Sequence, residues 1–469
     1  MTRGAIDVKH IDLPTYVYHE EYERLPRGEL LRLQLDRLLA FLRRVAATND
    51  FYQRRFTAAE VDVTRLTSLE EFRRHVPFIT KQDLLADQET NPPFGTRLGV
   101  PPERLRKIHT TSGTTGLGQE IYGLTENDCI YEGSGVATCV RWIGIEPGDI
   151  CALTYPFTTS SAGQCTAEGM RLYGSVLLPL ALYDGKTKLR FMRDFGAHYL
   201  LTAPAYLTRL TTLCREIGLD PARDFPKLKA ITVSTEAFPV AWAESMREIW
   251  RKPIHEMYGS TQQGSYFAYT CAGCGAVRNG ERGVLHMPEY ATLMEVIDPD
   301  SGEQVGYGEE GEAVITTFSR ESSPLIRFRT GDRVTLIEPR NCSSGRTMDG
   351  LLVGAVSRYD DMMKIKGANV WPSAVDNVIF SYPEADEYNG RVYLDGQGAE
   401  RVEISLEFKP EVTNAARKQD LMREMSAEIK NRTQVSMVIN EVPPGSVERF
   451  DWKPRRWKDQ RQEGLARTS

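Results

Sequence analysis

A chain of 469 residues, 41% hydrophobic and 26% charged, has the balance of a globular protein with a sizeable core. Its formal net charge of −6 leaves no basic footprint for nucleic acid, and no apolar run approaches the roughly 20 residues of a membrane-spanning helix. The first residues, MTRGAIDVKHIDLP, carry no apolar leader core, and eight cysteines are too few for a disulfide scaffold in a chain this long. The expected setting is the cytoplasm, with neither nucleic acid nor membrane as partner.

In chain order, Leu30, Leu31, Leu35, Leu38, Leu39, Leu42 and Val45 recur at helical spacing and predict an amphipathic helix over 28–46. A Phe51-Tyr52 pair and the stretch Pro77-Phe78-Ile79-Thr80-Lys81-Gln82-Asp83-Leu84 follow. Residues 107–125 read KIHTTSGTTGLGQEIYGLT, and 110–116 are all hydroxyl or glycine. Such a loop offers backbone N–H and hydroxyl donors to an anion, and glycine lets the backbone come close. It lacks the GxxxxGK[ST] spacing of a Walker A loop. Taken alone it reads as a Ser/Thr/Gly linker.

From 124 to 260, short apolar runs alternate with helical segments. The runs are Ile150-Cys151-Ala152-Leu153, Ser175 to Leu180, Tyr199 to Ala203, and Ala230-Ile231-Thr232-Val233, with a helical stretch from Trp242 to Trp250. That alternation predicts an α/β sheet. Residues 284–337 are strand-rich. Beyond 358, Val402, Ile404, Leu406 and Phe408 alternate with polar residues, and Asn414 stands where it would cap a helix carrying Leu421, Met425 and Ile429 on one face. The expected architecture is a large α/β unit, 1–357, followed by a small mobile α+β unit, 358–469.

Three further stretches change the reading of the hydroxyl loop: MYGSTQQG (257–264), RFRTGDRV (327–334) and SRYDDMMKIKGANVWP (357–372). In this order and spacing the four motifs resemble those of the adenylate-forming superfamily of acyl-CoA synthetases, luciferases and adenylation domains. The resemblance covers nearly the whole chain and is greatest to phenylacetate–CoA ligase-like enzymes. It implies ATP-dependent activation of an aryl or arylacetic carboxylic acid as an acyl adenylate, then transfer to coenzyme A. The implied cofactors are ATP, Mg²⁺ and coenzyme A. Transfer to an amine or a carrier-protein thiol is the alternative, a catalytically weak nucleotide-binding module is the alternative of another class, and a homodimer stays open.

The resemblance also implies roles. Thr111, Ser112, Gly113, Thr114, Thr115 and Gly116 would cradle the β- and γ-phosphates. Tyr258, Gly259 and Ser260 would pack on adenine, with the Thr261 hydroxyl at the α-phosphate. Thr235 and Glu236 would line the nucleotide, and Phe238 and Tyr155 the acyl pocket. Asp332 would take the ribose hydroxyls beside Arg358, Asp360 would be the hinge, Gly367 would line the thiol channel, and Lys453 would be the catalytic lysine. Besides Pro454, directly after Lys453, which leaves the neighbouring arginines as the alternative, the chain departs from the pattern in four places. Leu117-Gly118-Gln119 stands where many relatives have a lysine, Gln262 replaces a Mg²⁺-holding glutamate, and Ser357 replaces a glycine. Gln262 reads either as a simple loss or as an adjustment to a substrate with an extra anionic group. The fourth departure concerns cysteines. Relatives carry Cys-x-Cys-Gly-Arg-Thr where this chain has Cys342-Ser343-Ser344-Gly345-Arg346-Thr347. Cys271 and Cys274 form a CxxC, and with His286 and Cys342 they would make a closed Cys₃His structural zinc site; the alternative is unrelated buried thiols.

Overall fold

The leucine repeat folds as a helix, Arg27–Thr48, that buries Leu30, Leu38, Phe41, Leu42 and Val45 on one face. Asn49 ends it and starts the next, Asp50–Ala58, by accepting a hydrogen bond from the Tyr52 backbone N–H at 3.3 Å. The computed structural model describes residues 20–111, 118–338, 342–359, 361–395, 397–449 and 456–461.

Among the described residues the framework is a twelve-stranded sheet of two characters. Strands Val176–Pro179, Ile150–Leu153, Tyr199–Thr202, Ala230–Val233 and Ile254–Ser260 lie parallel in that order. Helices Ser161–Tyr173, Gly185–Asp194, Pro204–Glu216 and Val240–Trp250 alternate with them along the chain. Tyr199–Thr202 and Ala230–Val233 are buried at every position, which is why they read as continuous apolar runs. At Ile254–Ser260 the sheet turns antiparallel. It continues through Ser265–Tyr269, Val284–His286, Gly350–Leu352, Phe328–Ile337, Glu310–Thr316 and Leu293–Ile297, with Ser357–Arg358 paired on Phe328–Ile337. A separate antiparallel hairpin, Lys107–Thr110 with Ile121–Leu124, holds the two ends of the hydroxyl loop side by side.

The hydrophobic core of the described residues falls into two clusters that share no side chain. One draws on positions 30 to 353, the other on positions 365 to 437. The second lies under a four-stranded sheet of Val438–Glu441, Glu400–Phe408, Ala385–Leu394 and Trp457–Asp459. Its helix, Ala415–Thr433, is capped by Asn414, which accepts from the Arg417 N–H at 3.1 Å, and its Leu421, Met425 and Ile429 are fully buried. The hairpin Met363–Ile365/Ala368–Val370 turns at Lys366 and Gly367, with φ of +49° and +83°, the positive-φ pair that a two-residue hairpin turn demands.

Candidate active site

Ligands of open α/β sheets bind beyond the carboxyl ends of the strands. The strand Ile254–Ser260 is where this sheet changes from parallel to antiparallel, and its carboxyl end runs into a tight turn through Thr261, Gln262 and Gln263. The turn closes on Gly264, at φ +87°. A Cβ there would lie 2.4 Å from Arg320 Nη2 and 2.5 Å from Glu132 Oε1, both fully buried groups, so only glycine fits. Arg320 Nη1 in turn donates to the Gln262 carbonyl at 2.7 Å and fixes the turn from below.

Three residues far apart in sequence meet beside this turn. The Tyr258 hydroxyl donates to Asp332 Oδ2 at 2.5 Å, and Asp332 Oδ1 accepts from Arg358 Nη1 at 3.0 Å. Strand pairing sets the second contact, because Asp332 and Arg358 are register partners. Burial, then the neighbouring Asp332 charge, drive the Tyr258 phenol well above its ordinary pKa, so it stays a hydrogen-bond donor. The Tyr258 ring packs edge-on against Phe267, with centroids 4.7 Å apart. A carboxylate has about four lone-pair sites and can accept from several donors at once.

Thr261 Oγ1 lies 3.4 Å from both the backbone N and the Oγ of Ser161, at the start of helix Ser161–Tyr173. Thr235 holds φ at +83°, a strained conformation for a β-branched residue, in the connection between Ala230–Val233 and Val240–Trp250. Glu236 Oε2 accepts from the Ala205 N–H at 3.3 Å, near the start of helix Pro204–Glu216, and burial pushes its carboxyl up to about 7 against the pull of Arg456. The two rings assigned to the acyl pocket sit in the core. Tyr155 is fully buried with its hydroxyl donating to the Thr202 carbonyl at 2.5 Å, and Phe238 packs on Trp242 at 5.1 Å. Ser112, Gly113, Thr114, Thr115, Gly116, Asp360 and Lys453 lie outside the described residues.

Thr111, the first residue of the loop, is described, and it reveals a group that motif reading passes over. Thr111 and Glu120 continue the hairpin with a backbone bond of 3.1 Å, while the Thr111 hydroxyl donates to Glu120 Oε2 at 2.6 Å and accepts from the Glu120 N–H at 3.0 Å. The Glu120 carboxylate is fully buried. Lys81 Nζ stands 3.6 Å from Oε2, and the Gln262 amide nitrogen donates to Oε1 at 3.3 Å. A second buried carboxylate, Glu132, lies behind the turn, 3.0 Å from His109 Nε2, 3.3 Å from Arg320 Nη2 and 3.8 Å from Lys107 Nζ. The signal for Glu120 was present in the sequence: it is the lone acid between Lys107 and Thr125.

Away from this site, Cys271, Cys274, His286 and Cys342 bring one ligand atom each to within 4.8 Å of one another. Cys271 Sγ lies 3.6 Å from Cys274 Sγ, 3.3 Å from Cys342 Sγ and 3.7 Å from His286 Nε2. The sheet assembles them, since Ser265–Tyr269, Val284–His286 and Gly350–Leu352 are successive neighbours. Hydrogen bonds from Cys274 and Cys342 favour the Cys271 thiolate and lower its pKa. Burial opposes a charged His286, yet its sulfur neighbours raise it overall. Three thiols and one imidazole in a buried, closed cluster are a donor set that fits a tetrahedral structural metal.

At the strand where the sheet turns from parallel to antiparallel, Tyr258, Thr261, Asp332 and Arg358 gather beside the hairpin that carries Thr111. The AMP-binding enzyme family matches residues 33–318, and the AMP-binding enzyme C-terminal domain matches residues 367–461. The phenylacetate-coenzyme A ligase of Thermus thermophilus is 31% identical over 453 residues, 93% of this chain and 97% of that protein. That of Escherichia coli is 28% identical over 447 residues, 92% and 95% of the two chains. The chain belongs to the AMP-binding enzymes, as an AMP-forming acid–thiol ligase akin to phenylacetate–CoA ligases. In fold it is similar to 2-hydroxyisobutyryl-CoA ligase in the postadenylation state in complex with R3-HIB-AMP, with a TM-score of 0.86 at 22% identity over 99% of this chain and 97% of that one. No helix among the described residues is long and apolar enough to cross a membrane.

Proposed function

We propose that the protein uses ATP to activate an aromatic carboxylic acid as its acyl adenylate and passes the acyl group to coenzyme A. The observation that carries the reading is the convergence of Tyr258, Asp332 and Arg358 beside the Thr261 turn, facing the hairpin that presents Thr111. The aromatic class of the acid rests on the names of the phenylacetate-coenzyme A ligases it resembles.

In this reading the Tyr258 ring covers adenine and Asp332, paired with Arg358, accepts the ribose hydroxyls. The loop opened by Thr111 takes the β- and γ-phosphates through backbone and hydroxyl donors. The Thr261 hydroxyl meets the α-phosphate. Lys453 brings mobile positive charge to the oxygens that become anionic as the carboxylate attacks. Gln262 would offer a neutral amide oxygen to the Mg²⁺ of the nucleotide, which would offset the phosphate charge. Asp360 is the hinge between a unit of residues 1–357 and one of 358–469. Cys271, Cys274, His286 and Cys342 would hold a structural zinc ion, which would stiffen the fold and take no part in the reaction. None of the eight cysteines is in a disulfide, which suits a reducing cytoplasm.

The test is ATP–pyrophosphate exchange with a panel of aryl, arylacetic and aliphatic acids, followed by mass spectrometry of the product with coenzyme A, amines or a carrier protein. Exchange with an aryl acid and formation of its CoA thioester are the expected results. Exchange confined to aliphatic acids overturns the substrate class. An amide or a carrier-bound product in place of the CoA thioester overturns the acceptor.

A further inference from the structure

The buried Glu120 carboxylate ties together three parts of the site. Oε2 holds Thr111, where the phosphate loop begins; Lys81 stands beside it from helix Lys81–Thr90; and Oε1 takes the Gln262 amide nitrogen. A side-chain amide has its nitrogen and oxygen on opposite arms. With the nitrogen committed to Glu120, the Gln262 carbonyl oxygen faces the other way. Arg320 holds the backbone of the same residue from a third side, so Gln262 is fixed at both ends.

We propose that Glu120 is a positioning residue that supplies the negative charge of this wall. It orients the Gln262 amide so that the carbonyl oxygen faces the divalent cation of the nucleotide, and its charge polarises that amide toward the metal. The inference rests on the adenylating function proposed above, and it gives Gln262 a role within a two-residue device. Neither half works alone. A carboxylate at 262 would stand about 3.3 Å from Glu120, the distance of the present contact, and two ionised carboxylates at that range repel strongly. With an amide at both positions, the wall carries no anion. Moving the charge across, by Glu120→Gln together with Gln262→Glu, restores one carboxylate, one amide and the hydrogen bond between them.

The experiment measures Mn²⁺ binding by electron paramagnetic resonance on the full chain with α,β-methylene-ATP, alongside binding of that analogue without metal and melting of the nucleotide-free protein. Glu120→Gln is expected to weaken Mn²⁺ on the order of tenfold, well beyond any loss of metal-free analogue binding that comes from releasing Thr111. Gln262→Glu is expected to weaken Mn²⁺ and lower the melting temperature. The double variant is expected to recover both to near wild type. Wild-type Mn²⁺ affinity in Glu120→Gln overturns the proposal, and so does a double variant no better than the single ones. If Glu120→Gln fails to fold, the double variant still decides. These readouts need no acid substrate. A wild-type chain that exchanges pyrophosphate with no acid therefore refutes the functional reading separately.

Discussion

Removing a zinc ion from the four-residue cluster should soften the larger core by a measurable amount. The ion would join Cys271 to Cys342, 71 positions apart, so its loss releases a long loop in the unfolded chain. Treated as a crosslink of that length, the chain-entropy contribution is about 4 kcal/mol. A core of this size should then melt roughly 6–10 °C lower without metal. Affinity of the unfolded thiols for zinc would reduce the difference. The assay is elemental analysis of protein purified without added zinc, then calorimetry before and after chelation under reducing conditions. About one zinc per chain is expected. Cys271→Ser should reproduce the chelated melt and leave chelation with no further effect. Stable, active protein free of metal, or a chelated protein that melts unchanged, refutes the reasoning.

Lys453→Ala should slow adenylate formation by about 100-fold or more, measured by pyrophosphate exchange, while equilibrium dialysis finds ATP binding preserved. Asp332→Asn removes the charge that Tyr258 and Arg358 both address, and should weaken ATP about tenfold by calorimetric titration; unchanged affinity would remove Asp332 from the ribose site. Glu256 is held by the Gly354 N–H at 2.5 Å, and burial raises its carboxyl from 4.5 to about 8. The folded state therefore keeps a proton that the unfolded chain releases, and stability from this group falls as pH rises from 4.5 through about 8. Glu256→Gln should flatten that slope in urea midpoints, and a slope that persists would place the titration elsewhere.

Much of the fold was legible because local rules and tertiary structure agree. Ile150–Leu153 and Ala230–Val233 form over the residues expected, since strands buried at nearly every position announce themselves as apolar runs. Asn414 caps its helix because the short amide side chain is well suited to that place. The cysteines and His286 were found through the CxxC and the family layout, and the sheet brings them together. Glu120 and Glu132 were missed for a physical reason. A glutamate in a loop or on a helix reads as a solvated charge, and the cations that make burial tolerable come from positions 81, 107 and 320. Tyr155 and Phe238 are both buried, and sequence alone does not separate an aromatic ring that lines a pocket from one packed beneath it.

The separation of the hydrophobic side chains into two clusters has a calorimetric consequence. Cooperative melting follows shared packing, and no apolar side chain is common to the two. Among the described residues, one contact that does cross is cationic, the Arg333 guanidinium over the Trp371 ring at 4.8 Å. A heating trace of the free protein should then resolve into two heat-absorption peaks of unequal area, and a single melting temperature describes neither. Cys271, Cys274, His286 and Cys342 all lie in the larger cluster or pack against it, His286 through the Trp142 ring. Chelation should move the larger peak down the temperature axis and leave the smaller one where it was.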